Sequence, residues 1–452
     1  MADLQHTLEI AQGVLWGPAT IALLLGAGLW FSVGTGWMQL RRPGLVLRKT
    51  IGTLFKPKNK RDKNGVSPFQ AMTAALGGTM GTGNIAGIAT AIVAGGPGAV
   101  FWMWVSAFFG MMTKYAEVVL AVHFRERTPG GGWRGGPMTY IQKGLGASWL
   151  AVFFSVSCVI ASLGTGSSTQ VHSMATALKS RFGIPPLLCG IITGIVVGLV
   201  ILGGIGRISS FTEKLIPFMS LLYLACGCYV LWCNRSAVPD AFFSIFRYAL
   251  SPRAAVGGVG GYTVARAIRL GVARGIFTNE AGMGSAPIAH ASSDTKSPVE
   301  QGMWGIFEVF ADTIVVCTLT ALVLLSSGDL WLSGLDGSEL TAAAFEGAMG
   351  GFGSAMVAVS LVCFALAAII AWAYYGQRAV EYLTGGSTAA VGFYRLAYVA
   401  ATVWASTLDL HTVWGLADVL NGFMLLPNLL ALLALGPTVL RLSREYLSSL
   451  NK

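Results

Sequence analysis

The residues best placed to do chemistry form one short stretch, Gly77-Gly78-Thr79-Met80-Gly81-Thr82-Gly83-Asn84. It combines hydroxyls, a side-chain amide and glycine-freed backbone, groups that suit the binding of ions and small polar molecules. The stretch lies inside an apolar run from about Phe69 to Val93. Glycine costs a helix interior about 1 kcal/mol relative to alanine, and four of these eight residues are glycine. The threonine hydroxyls compete for the same backbone partners. A membrane-crossing helix therefore breaks here. An unpaired backbone group in hydrocarbon costs several kcal/mol, so such a break survives only inside protein or against a wet cavity. It is either a place where small residues let helices pack closely or a binding site.

A second stretch has the same character. Gly275-Ile276-Phe277-Thr278-Asn279-Glu280-Ala281-Gly282-Met283-Gly284-Ser285-Ala286-Pro287 is again glycine-rich, polar and central to an apolar run. Two interrupted spans at matching positions of two halves point to a secondary transporter built from inverted repeats, with its site where the breaks meet.

The rest of the chain must position these breaks within a membrane. Of 452 residues, 54% are hydrophobic and 11% charged, against about 25% charged in soluble domains. With about 20 apolar residues per span, eleven spans are predicted, at about 15–37, 69–94, 97–122, 147–178, 185–204, 208–233, 262–291, 301–326, 351–376, 388–406 and 412–436. The fold class is all-α integral membrane, one peripheral N-terminal span followed by a five-plus-five inverted repeat with two broken helices. The divisions are 1–66 (first span and basic loop), 67–233 (first repeat), 234–436 (second repeat, opening on a surface helix at Pro239–Leu250) and 437–452 (a short basic C-terminal helix).

The net charge of +10 has a topological rather than a nucleic-acid reading. Nine cations, Arg41, Arg42, Arg48, Lys49, Lys56, Lys58, Lys60, Arg61 and Lys63, fall in one loop, which places that loop in the cytoplasm, the N-terminus outside and the C-terminus inside. The seven cysteines lack the paired spacing of a zinc site and read as reduced packing residues. The five histidines are scattered, without an HExxH, GxSxG or P-loop pattern, so an enzyme is not expected. A receptor lacks a soluble signalling domain here, and a channel would show a ring of repeated ligands.

The two breaks and their surroundings resemble the alanine or glycine:cation symporter family. The similar stretches are GTMGTGNIAGIATAI (Gly78 to Ile92), GGPGAVFWMWVSAFFGMMTKYAE (Gly95 to Glu117), GGPMTYIQKGLG (Gly135 to Gly146), GIFTNEAGMGSAPIAHA (Gly275 to Ala291) and the run from Asp312. The resemblance implies a leucine-transporter-type fold, a small neutral amino acid as substrate, sodium as coupling ion, no organic cofactor, and a bacterial inner membrane.

A zwitterion presents a carboxylate and an ammonium. The amides of Thr82 and Gly83, at the positive end of the second half-helix, suit the carboxylate. The carbonyls freed at Gly77 and Gly78 suit the ammonium or a hard cation. Ile276 and Phe277 are expected to wall the pocket, Thr278 and Asn279 to supply polar groups, and Trp372 to serve as lid or as a packing residue. Gln170 resembles the glutamine that meets the substrate amine, or else makes a helix-helix hydrogen bond. For sodium the expected ligands are Gly77, Met80, Asn84 and Phe364. Asn84 could also cap the break, a role that does not exclude the other.

Glu280, Glu308 and Asp312 are candidates for proton binding or gating. Glu280 could also pair with Arg274 or cap freed amides. Glu308 and Asp312, four apart, could share a proton on one helix face or hydrogen-bond separately to neighbouring helices. One departure from the family pattern stands out. Where a Ser-Thr pair is typical before Trp372, this chain has Ala367 and Ala368, which removes two oxygens from the expected cation shell.

Overall fold

The structure is a computed structural model that describes residues 2–55, 66–128, 131–250, 264–408 and 410–450. Lys56, Lys58, Lys60, Arg61 and Lys63 of the basic loop lie outside the described residues. The chain opens with helices α1 (Ala2–Leu15), α2 (Pro18–Gly34), α3 (Met38–Arg41) and α4 (Pro43–Lys49). The first broken span is α5 (Pro68–Thr79) and α6 (Ala86–Gly95), followed by α7 (Gly98–His123), α8 (Pro137–Leu145), α9 (Ser148–Ala161) and α10 (Thr169–Phe182). Then come α11 (Pro186–Ile201), α12 (Gly204–Cys233) and α13 (Val238–Leu250). The second broken span is α14 (Val264–Asn279) and α15 (Ala286–His290), before α16 (Pro298–Val309), α17 (Thr318–Ser326) and α18 (Gly337–Met349). The chain closes with α19 (Gly351–Leu383), α20 (Thr388–Ala405) and α21 (Leu410–Ser449).

Local sequence explains many of the boundaries. Proline, with no N–H to satisfy, opens α2, α4, α5, α8, α11 and α16, as its fixed φ favours. Ser67 and Gln70 cap α5 reciprocally. Gly146 and Gly183 end α8 and α10 in the left-handed conformation, which only glycine adopts without strain.

Seven continuous helical runs are long and apolar enough to cross a membrane. With the two broken pairs and the shorter α11 and α20, the described residues contain the eleven expected spans. Two of the seven runs are joined by π-helical turns, Ser162–Ser168 between α9 and α10 and Phe310–Cys317 between α16 and α17. The C-terminal segment differs from expectation. No separate helix follows 436, because α21 continues through Pro437 to Ser449. Neighbouring contacts support it there, with Tyr115 and Ser443 hydroxyls 2.6 Å apart and Tyr446 donating to Glu300 at 2.7 Å. A small hairpin, Glu126–Arg127 against Trp133–Arg134, follows α7. Its Glu126 carboxyl is held below the usual carboxylate range by the Lys143 ammonium and, next, the Arg134 guanidinium.

The start of the first broken span lies beside the end of the second. Val66 and Ser293 form a parallel bridge, Asp294 donates its amide to the Val66 carbonyl at 2.8 Å, and Gln301 donates to the Pro68 carbonyl at 3.2 Å. The two broken spans therefore run in opposite directions through the centre of the bundle. Around them α7 packs between α14 and α16, while α19 packs against α5, α9, α10 and α12. Glycines set the closest approaches, as small residues do in membranes. A side chain at Gly271 would run into the Ala99 carbonyl and reach within 2.8 Å of the Trp102 Cβ. Gly271→Val should accordingly separate α7 from α14 and destabilise the protein by about 1 to 3 kcal/mol. Thermal melting in detergent checks this, and an unchanged melting temperature would contradict the packing.

Candidate functional site

The first break begins where α5 stops donating. Met80 takes non-helical backbone angles, φ −72° and ψ 84°, and the chain passes through a single turn at Thr82–Asn84 before α6. Asn84 organises this turn. Its Oδ1 accepts the Gly81 amide at 3.2 Å, and an N–H can only donate, so the amide orientation is fixed. Its Nδ2 then faces the Asp312 carboxylate, donating at 2.7 Å. The Gly81 contact is the capping role expected of Asn84, and it uses one of the two acceptor sites of Oδ1. That oxygen caps the break, and the carboxylate beside it belongs to Asp312.

The second break is shorter than expected. Gly275 does not interrupt α14, which runs through Ile276, Phe277, Thr278 and Asn279. The interruption is confined to Glu280–Ser285, with positive φ at Glu280 (54°), Gly282 (90°) and Gly284 (80°). A lone glycine between helix-compatible neighbours costs only about 1 kcal/mol, whereas three left-handed residues cannot continue a helix. Asn279 caps the end, accepting the Ala281 amide at 3.0 Å. Beyond it Glu117 accepts the Gly284 amide at 2.9 Å and the Asn428 side-chain amide at 2.6 Å, while Asn428 also donates to the Gly282 carbonyl at 2.8 Å. Tyr140 holds Asn428 from the other side.

One polar chain joins the two breaks. Asn279 donates to the Thr313 hydroxyl at 3.1 Å, and Thr313 donates to Asp312 at 2.8 Å. Asp312 accepts from Asn84, which caps Gly81. The link runs through the π-helical turn at Phe310–Cys317.

The breaks also meet at Gly83. A side chain there would come within 2.8 Å of the Thr278 Cγ2 and 3.2 Å of the Phe277 ring. Gln170 crosses from α10 and its Oε1 accepts the Thr82 amide at 2.9 Å. The Thr82 hydroxyl, equally buried, has no hydrogen-bond partner. Trp372 is buried, packs on Gly166 and Tyr375, and lies beside Glu280. Ile276 is buried in α14, where its carbonyl accepts the Glu280 amide at 2.7 Å.

Of the residues expected to hold a cation, Gly77 lies in α5, Met80 directly after it, Asn84 in the turn before α6 and Phe364 in α19. A side chain at Gly77 would sit 3.1 Å from the Thr212 Cγ2 and 3.6 Å from the Ala367 Cβ, and one at Gly78 would meet the Tyr375 hydroxyl at 2.7 Å. Ser220 donates to the Met80 sulfur at 3.4 Å, and Phe364 is buried against Tyr223. Thus Ala367 does face Gly77, and a methyl group stands where the family pattern has an oxygen. Ala368 is fully buried beside it.

Two of the pairings weighed as alternatives take other partners. Arg274 binds Asp418 of α21, at 3.2 and 3.0 Å. Glu280 accepts the Ser285 hydroxyl. Glu308 does not share a proton with Asp312. It lies 2.8 Å from His290 Nε2 and 3.4 Å from the Lys114 ammonium, while Asp312 is held by Asn84 and Thr313. The π-helical turn separates their surroundings.

A cavity of about 730 Å³ opens above the breaks, lined among others by Gln12, Thr90, His172, Asp336, Arg274 and Asp418. The Arg274–Asp418 pair lies at its border. One turn along α14, Phe277 packs on Ala417.

Reasoning from sequence missed Lys114, Glu117, His290 and Asn428, all fully buried. Lys114 and Glu117 carried a readable signal, two charges inside an apolar helix of 26 residues, since ionisable residues at that depth mark function. Asn428 carried none.

Comparison with known proteins identifies the family and the fold. The profile described as the sodium:alanine symporter family matches residues 1–452. A transporter of Haemophilus influenzae is 42% identical over 99% of this chain and 97% of its own length. The sodium/alanine symporter AgcS of Methanococcus maripaludis is 41% identical over 98% of this chain and 97% of its own. Among solved structures, MhsT in complex with L-phenylalanine superposes with a TM-score of 0.63 at 13% identity, covering 83% of this chain and 90% of that one. That likeness shows the leucine-transporter-type fold the motifs implied. The chain belongs to the sodium:alanine symporter family, as a multi-pass membrane transporter and not an enzyme.

Proposed function

We propose that this chain imports a small neutral amino acid, alanine or glycine, together with sodium. It would do so by alternating access of two inverted five-helix repeats, 67–233 and 234–436, in a bacterial inner membrane with the N-terminus outside. The observation that carries the reading is the Thr82 amide, held by Gln170 Oε1 at 2.9 Å next to a glycine that Phe277 and Thr278 close over.

The side-chain oxygen of Gln170 occupies the position a carboxylate oxygen would take. An incoming carboxylate displaces it, pairs with the Thr82 and Gly83 amides at the half-helix end, and receives the unpartnered Thr82 hydroxyl. Gln170 Oε1, released, turns to the ammonium, which also meets the carbonyls freed near Gly77 and Gly78. Gly83, Ile276, Phe277, Thr278, Asn279 and Trp372 leave space for a small side chain only. The relative named a sodium/alanine symporter supports this choice. In the state described, the Arg274–Asp418 pair and the Phe277–Ala417 contact form a closed outer door.

The coupling ion has two possible homes. Carbonyls at Gly77, Met80 and Phe364 form one, depleted by Ala367 and Ala368. The Asp312 carboxylate with Thr313, beside Asn84, forms the other and retains oxygen donors. A second reading, amino acid exchange with weak sodium dependence, is favoured by the Ala367 methyl group facing Gly77.

Labelled L-alanine uptake into proteoliposomes, with and without an inward sodium gradient, decides between these readings. Saturable, sodium-driven accumulation is expected, and Ala367→Thr/Ala368→Ser should steepen its sodium dependence. Absence of saturable alanine or glycine uptake would overturn the transport reading. Gly83→Val should weaken alanine binding at least about tenfold, or roughly 1.4 kcal/mol. Equilibrium binding to the purified protein measures this, and an unaltered affinity would place the substrate elsewhere.

A further inference from the structure

Among the described residues five tyrosines are fully buried, Tyr115, Tyr140, Tyr223, Tyr375 and Tyr398. A buried tyrosine ordinarily finds a hydrogen-bond partner for its hydroxyl. Four of them do. Tyr115 meets the Ser443 hydroxyl at 2.6 Å, Tyr223 meets the Thr320 hydroxyl at 2.9 Å, Tyr398 donates to the Ile369 carbonyl at 2.8 Å, and Tyr140 donates to Asn428. The Tyr375 hydroxyl has no hydrogen-bond partner among the described residues. A hydroxyl in that state has lost water and gained nothing in exchange, which costs folding free energy that a phenylalanine of the same shape would not.

The surroundings of this hydroxyl point to what it serves. Tyr375 lies on α19 one turn beyond Trp372, and the two rings meet edge to face with centroids 5.6 Å apart. Its oxygen stands against Gly78 of α5, where an added Cβ would come within 2.7 Å of the hydroxyl and 3.1 Å of Cε2. A side chain at 78 would have to push the hydroxyl aside. Glycine in turn weakens the helix that carries it, so a weakened helix and an unpaired hydroxyl meet at one point. The neighbouring Tyr374 has a different setting, with the Arg378 guanidinium 5.0 Å from its ring.

The backbone beside Gly78 is short of donors. In a continued helix the amides of Gly81 and Thr82 would return to the carbonyls of Gly77 and Gly78. Instead the Gly81 amide is shared between the Thr79 carbonyl at 2.9 Å and Asn84 Oδ1 at 3.2 Å, and the Thr82 amide goes to Gln170 Oε1 at 2.9 Å. Two carbonyls are thereby released from the helix, and Tyr375 adds a third oxygen beside them. A primary ammonium, with three N–H donors and no acceptor, is the complement of three oxygens. A zwitterion that gives its carboxylate to the amide end at Thr82 brings its ammonium to this end of the break.

We infer that the Tyr375 hydroxyl is a substrate-binding group, its oxygen accepting a hydrogen bond from the amino acid's ammonium beside the carbonyls freed at Gly77 and Gly78. It also selects for a primary amine. An N-methyl group removes one of the three donors and adds volume where a single Cβ would already reach within 2.7 Å of the hydroxyl. The inference rests on the transport reading above and adds to it the group that reads the amine.

The test is equilibrium binding of L-alanine and of N-methyl-L-alanine to the purified whole protein, over sodium concentrations up to saturation, with thermal melting of the same samples free of amino acid. Tyr375→Phe keeps the ring and removes one oxygen. Its alanine affinity should fall about ten- to a hundredfold, the range of a hydrogen bond to a charged group, while its melting temperature should equal or exceed that of the wild type. A hydroxyl that only held the fold would give the reverse, a lower melting temperature and an unchanged affinity. Gly78→Ala should weaken alanine binding in the wild type and add little further loss in Tyr375→Phe, since both act on one contact. N-methyl-L-alanine should bind the wild type more weakly than L-alanine, and Tyr375→Phe should narrow the ratio between them.

Unchanged alanine affinity in Tyr375→Phe overturns the inference and leaves the transport reading standing. A ratio that the variant leaves unaltered overturns the assignment to the ammonium, and a loss that disappears as sodium rises gives the oxygen to the coupling ion instead. Failure of Tyr375→Phe to fold also overturns the inference, because a hydroxyl without a partner cannot be needed for folding. Absence of alanine binding by the wild type overturns both readings together.

Discussion

The structure depends on one constraint, that backbone groups released within a membrane must find partners in the protein. Each broken helix releases amides at one end and carbonyls at the other, and the fold answers several of them with side chains. Asn84 takes the Gly81 amide, Gln170 the Thr82 amide, Asn279 the Ala281 amide and Glu117 the Gly284 amide. Asn428 takes up the Gly282 carbonyl, and Thr341 donates to the Ile85 carbonyl at 3.0 Å. The helices that carry these residues are thereby fixed in place around the breaks. The antiparallel arrangement follows from the same need, since the bridge between Val66 and Ser293 satisfies the backbone where one broken span starts and the other ends.

Close packing supplies the second condition. Where the breaks meet, the walls are glycine on one side and Phe277 and Thr278 on the other. One methylene in such a pocket is worth about 1 to 3 kcal/mol, so the small volume selects among substrates only modestly. The polar groups set the class of molecule, and the walls set its size. The two are coupled through α14, because Asn279, which caps the break, is one or two residues from the side chains that shape the pocket.

Much of this was legible in the sequence. Glycine density located both interruptions, apolar windows located the spans, and their number in each half required opposite directions for the broken pair. What could not be read was pairing across helices. A sequence does not show which way the Asn84 amide points, and only the Gly81 N–H fixes it. Glu308 and Asp312 looked like partners because i,i+4 spacing assumes an α-helix, whereas the π-helical turn and the approach of Lys114, His290 and Asn84 give each its own surroundings. Arg274 looked available to Glu280 because Asp418 is 144 residues distant in the chain. For Asn84 the deciding partner is three residues away, and for Glu308, Asp312 and Arg274 it comes from other helices.

The proposed use of Gln170 as a stand-in for substrate bears on how a carrier can work without binding too tightly. Were the Thr82 amide empty in the absence of substrate, a buried donor would lie unsatisfied, at a penalty of about 1 to 3 kcal/mol. The empty carrier would be strained, and substrate would be held by the relief of that strain. Because Gln170 satisfies the amide, binding becomes an exchange of one acceptor for another, and only the difference between them adds to affinity. An exchange of that kind is reversible at both membrane faces. Lys114, buried 3.4 Å from Glu308, likewise gives a buried carboxylate a partner within the protein. A carrier must change conformation both loaded and empty, and built-in partners for its freed amides and buried charges make both states accessible.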